Sequence, residues 1–176
     1  MVLPAPDCTS PSEACCNSIF DVGHHILTQM LDALTACMVD GCQPLVAYVT
    51  VGEGDAVVDA VTVTATSVGP MSGTRSGMTV ATRAVYLVRL IESGWPIARA
   101  EGGAFIPPDP FEQQRAVVHV FARAEAMYRR LLFMAAKNTM GPPGVRIGQA
   151  SVAGIVFIPP SAGTVGSSIS VTVDMN

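Results

Sequence analysis

Apolar side chains recur at helical spacing through Ile19, Val22, Ile26, Leu27, Met30, Leu34, Cys37 and Met38. This spacing predicts a long first helix over 11–39, loosened at Gly23. Ser10, Pro11 and Glu13 stand where a capping box would start it, and Asp40-Gly41 where a left-handed stop would end it. The period then changes from helical to alternating. Leu45–Val51 is rich in β-branched residues, Gly52–Asp55 is a short turn, and a second strand is expected at about 57–67. There Val61, Val63 and Ala65 alternate with Thr62, Thr64 and Thr66, giving one dry and one wet face. Residues 68–78 form a long Gly/Ser-rich tip, followed by a third strand at about 79–92 in which Arg83 and Arg89 share a face.

Residues 93–110 read as a second long loop, with Trp95-Pro96, Gly102-Gly103 and Pro107–Pro110. A second helix covers about 111–137, capped by Asp109 with Pro110 at its first position. Its apolar stripe is Val117, Val120, Phe121, Ala124, Tyr128, Leu131 and Ala135. Arg115, His119, Arg123, Arg130 and Lys137 fall together on the opposite side, a basic stripe about six turns long. Gly141–Gly144 breaks this helix. Two closing strands at about 145–158 and 167–175 form a hairpin with a long connector at 159–166, and the last alternates Ile169, Val171 and Val173 with Ser168, Ser170 and Thr172. The order α-β-β-β-α-β-β predicts an α+β fold, a mixed or antiparallel β-sheet with two helices packed on one face. It forms one domain over 1–176, of which 1–10 is an extended N-terminal segment.

Composition narrows the function. The 176 residues are 49% hydrophobic and only 14% charged, with a net charge of -4. Disorder is excluded on that basis, and a nucleic-acid binder driven by bulk charge is not expected. No run reaches the roughly 18 apolar residues of a membrane span. Residues 1–7 lack the basic and apolar regions of a secretory leader, so a chain made in a cytosol is expected. The charge is split by sign. Residues 1–74 hold eight carboxylates and no Lys or Arg, whereas 75–176 hold ten bases and six acids. Two opposite local fields of this kind could meet between subunits arranged head to tail.

Candidate chemistry is sparse. Cys8, Cys15, Cys16, Cys37 and Cys42 are odd in number and lack a C-x2-C pair, so zinc with His24 and His25 is disfavoured and buried thiols are expected. There is no phosphate loop and no nucleophile elbow. Cys37 with His119 is the one nucleophile–base pairing left open. The expectation is a protein that is not an enzyme and needs no cofactor or metal. Its candidate residues are instead interface residues: Arg75 on the loop tip, Arg83 and Arg89 on the third strand, Trp95 in the long loop, and Arg115, Arg123 and Arg130 on the second helix. Trp95 reads either as a loop anchor on the core or as an interface anchor.

The layout over 11–175 resembles the tail-terminator family of long-tailed bacteriophages, particularly those infecting actinobacteria. The resemblance lies in the N-terminal helix, the Val/Thr strand pair, and Val85–Ile91 followed by Trp95-Pro96. It continues in the bridge Pro107–Phe111 into the helix Gln113–Arg130, and in the hairpin punctuated by Gly148, Gly154, Pro159-Pro160, Gly163 and Gly166 before Ile169–Val173. It implies a virion structural protein of the tail and neck, assembled in the host cytoplasm. Six copies would form a ring on the last ring of major tail tube protein, stop its polymerisation and face the head-side neck or stopper protein. DNA would meet it only in passing through the lumen. The family has no catalytic residues to carry over. The Cys- and Pro-rich N-terminal segment departs from the pattern. Two other readings stay open: a different head–tail connector ring, such as a stopper or adaptor, and a small ligand-binding module or enzyme.

Overall fold

A computed structural model describes residues 14–36, 46–52, 57–70, 82–95, 98–161 and 163–175. The elements in chain order are α1 (Ala14–Ala36), β1 (Val46–Val51), β2 (Ala60–Pro70), β3 (Thr82–Ser93), β4 (Ala98–Arg99), β5 (Phe105–Ile106), α2 (Pro110–Ala136), β6 (Ile147–Ser161) and β7 (Thr164–Met175). Five strands form one mixed sheet in the order β1-β2-β3-β7-β6. The capping box before α1, the Asp40-Gly41 stop, most of the Gly52–Asp55 turn and the greater part of the 68–78 tip lie outside the described residues.

The sheet is organised around β3, which pairs antiparallel with β7 without interruption from Thr82 opposite Met175 to Ser93 opposite Thr164. Because side chains alternate along a strand, Ala84, Tyr86, Val88 and Leu90 share one face, and Arg83, Val85, Leu87 and Arg89 the other. Both helices pack on the first face. There Val22, Ile26 and Met30 of α1 and Val120, Met127 and Leu131 of α2 join Val61, Val63, Ile169, Val171 and Val173 in one buried cluster. The Tyr86 hydroxyl donates to the Ile19 carbonyl of α1 at 2.8 Å, and burial pushes its phenol pKa well above the ordinary value. The α+β fold and its element order are therefore as the sequence pattern predicts.

Several local expectations change. β1 runs parallel to β2, with Val46 opposite Ala60 and Val51 opposite Ala65. That pairing makes β2 an interior strand, so the expected wet face is nearly covered at Thr62 and Thr64. Helix α1 continues through Gly23. A Cβ placed there would lie 2.8 Å from Val49 Cγ1, so the glycine lets α1 approach β1 closely and does not loosen the helix. The expected 159–166 connector is mostly strand, since β6 and β7 still pair at Ser161 and Thr164 and the chain reverses at Gly163 with φ 78°. Pro159 and Pro160 are tolerated because β6 is an edge strand and its register shifts between Ile158 and Ser161. The 93–110 loop contains the small β4–β5 hairpin, and Gly94 and Trp95 both donate backbone hydrogen bonds to the Gly163 carbonyl.

Candidate assembly interface

Helix α2 starts where the sequence says it should. Asp109 is its N-cap and accepts from Phe111 N at 3.0 Å, with Pro110 following. Its orientation is different. The buried residues are Val120, Arg123, Ala124, Met127, Leu131 and Met134, a face turned roughly 60° from the expected stripe, towards the basic side. Two features set this rotation. Met127 and Met134 bring large apolar side chains to the core. Arg123 meets Glu92, which points from β3 into the helix layer, and its Nη1 donates to Glu92 Oε1. A carboxylate and a guanidinium buried together need each other's charge. His119 Nδ1 lies 3.5 Å from the other Glu92 oxygen.

The basic stripe is therefore not one exposed surface. Arg123 is 8% exposed. Arg130 is half-buried, donates to Gln29 Oε1 of α1 from Nε at 3.1 Å, and stacks over the Phe133 ring at 5.7 Å. Lys137 is the C-cap residue. Arg115 is exposed and makes no ion pair among the described residues. On β3, Arg83 grips Asp174 of β7 through two hydrogen bonds at 2.7 and 3.0 Å. These hold the Asp174 carboxyl below its usual pKa and raise that of Arg83. Arg89 is half-buried on the helix-free face, between Thr62 and Ser168. Trp95 is partly buried and packs against the core. Arg75 lies outside the described residues, as do Cys37 and the side chains of the other cysteines.

Turning α2 in this way leaves an apolar flank outside, of which the sequence pattern assigned Val117 and Phe121 to the core. Phe121 is 50% exposed and Val118 60%, with Val117 and Leu132 beside them. Across from this flank, β6 presents Phe157 and Ile158, both exposed. The Phe121 and Phe157 rings stack with centroids 4.8 Å apart and planes 7° from parallel. Between α2 and the end of β6 lies a groove of about 300 Å³, lined by Val117, Phe121, Phe157, Ile158 and the two prolines, with no charged side chain. Exposed apolar surface of this kind makes the flank the candidate interaction site of the described residues. The run Val156–Ile158 before Pro159-Pro160 was its only visible signal in the sequence.

A shallower pocket beside α1 collects Asp21, His24, His25 and Thr28 with Pro142 and Pro143. His25 Nε2 lies 3.1 Å from the Thr139 carbonyl, which engages that nitrogen as a donor. Among the described residues no three His, Cys, Asp or Glu side chains come together to hold a metal, and no helix is long and apolar enough to cross a membrane. The arrangement at the α2–β6 flank is suited to recognition by desolvation and shape. No protein-family model matches the chain, and no curated protein is significantly similar to it.

Proposed function

We propose that this chain is a bacteriophage virion structural protein, a tail terminator that forms a ring, caps the tail tube, stops its polymerisation and joins the tail to the head-side neck. The observation that carries the reading is the exposed apolar flank of α2 continuous with the end of β6. The resemblance supplies the identity of the assembly, and the flank supplies a surface for making it. A growing tube exposes the same unsatisfied surface after each ring, and a terminator covers that surface on one side while offering a different one on the other. Specificity then comes from complementary shape and charge.

The test is to add the purified chain to polymerising major tail tube protein and image the products. Shortened tubes, each carrying a ring at one end, are the expected result. Unchanged elongation, with the chain monomeric throughout, would overturn the reading. Rings that bind the head-side neck protein and ignore the tube would assign the chain to a connector instead.

A further inference from the structure

We infer that the β4–β5 hairpin is an arm that seats in the α2–β6 groove of a second copy of this chain. This inference rests on the ring reading above and adds to it the joint between neighbours.

The arm is well formed but isolated. Ala98 pairs with Ile106 and Arg99 with Phe105, Ala100 N donates to the Ala104 carbonyl at 2.9 Å, and Gly103 closes the turn with φ 78°. Yet the backbones of β4 and β5 approach no other described helix or strand. A hairpin of two-residue strands is marginal on its own in water and needs a surface to lie on. Described residues on either side of it are anchored. One root is tied to the β6–β7 turn by the 2.7 Å bond from Gly94 N to the Gly163 carbonyl, and the other ends in the Asp109 cap of α2. The first root thus adjoins the chain's own groove beside Val165, while the backbones of the two strands stay away from α2 and β6.

The two surfaces match in chemistry. The arm exposes Ile106 and Pro107, and the groove offers an uncharged apolar lining. The arm carries Glu101 at its turn, and Arg115 stands one helical turn before Val118, which is one turn before Phe121. Arg115 has no ion pair among the described residues, so an incoming Glu101 meets an unspent cation. An arm on one surface and a groove on another make a head-to-tail contact, the kind that closes into a ring when the rotation allows.

The experiment places the photocrosslinker p-benzoylphenylalanine at Ile106 of the full chain. Equal amounts of ¹⁴N and ¹⁵N protein are mixed, with and without tail tubes, irradiated and analysed as cross-linked peptides, alongside mass photometry. Cross-links joining light to heavy chains at 117–121 or 157–160 are expected. Cross-links confined to one chain, directed elsewhere, or absent would overturn the arm. Rings with cross-links elsewhere defeat the arm and leave the ring reading standing, whereas no ring in any condition defeats both. In parallel, Ile106→Ser should keep the circular-dichroism spectrum and weaken self-association about tenfold, as loss of one buried anchor does. Unchanged association would count against the arm.

Discussion

Arg123 on α2 and Glu92 on β3 meet as an ion pair in the layer between helix and sheet, with both residues buried. This pair, with Met127 and Met134 on the same face, goes with the rotation of α2 and hence with what the helix leaves outside. Removing one partner strands a charge in the interior. Arg123→Ala is expected to cost about 3 kcal/mol in urea unfolding. The double change Arg123→Met with Glu92→Leu should recover most of that loss, because an apolar pair of similar volume needs no counter-charge. If the double variant is as unstable as the single one, packing and not charge governs the site.

Gly23 faces Val49 at a distance that leaves no room for a methyl group. In Gly23→Ala, a gain in helix propensity of about 1 kcal/mol opposes an overpacking cost of about 1–3 kcal/mol. The expected net effect is destabilising by about 1 kcal/mol. Val49→Ala in the same chain should relieve the clash, so that a thermodynamic cycle shows favourable coupling between the two changes. Additive effects would mean that α1 and β1 are not held this closely.

The Asp174 carboxyl is held below its usual pKa by Arg83. A group depressed on folding adds stability above its unfolded pKa, and that stability disappears as pH falls through the folded one. Asp174→Asn should therefore lower stability at neutral pH and flatten its dependence below about pH 4. The Arg83 side chain is 48% exposed, so water and salt screen the pair and the effect is small. A pH scan of the thermal midpoint, repeated in high salt, measures it. An unaltered acid limb in the Asn variant would remove Asp174 from the account.

The element order was legible because local alternation survives folding. Val61, Val63 and Ala65 on β2, and Ile169, Val171 and Val173 on β7, are all buried as their pattern predicts. The face of α2 was not legible in the same way. Its periodicity supports two stripes roughly 60° apart, and the partner that chooses between them, Glu92, lies 31 residues away. A charge stripe drawn through Arg115, Arg123 and Arg130 could not show that Arg123 is spent on Glu92 and Arg130 on Gln29. Strand alternation likewise says nothing of neighbours. The parallel β1–β2 pair and the edge position of β6 come from long-range pairing, and the latter leaves Phe157 beside Phe121 at the surface. The β4–β5 arm escaped notice because two-residue strands carry no period.

The most direct test of the central claim, that the α2–β6 flank is an assembly surface, is mass photometry of Val118→Glu and Phe121→Glu. Val118 is 60% exposed, so its variant should keep the urea midpoint, while Phe121→Glu also gives up the stack on Phe157 and should lose about 1 kcal/mol yet remain folded. A charge placed in a desolvated contact should instead abolish rings and tube capping. Folded variants that assemble as the parent chain does would contradict the claim.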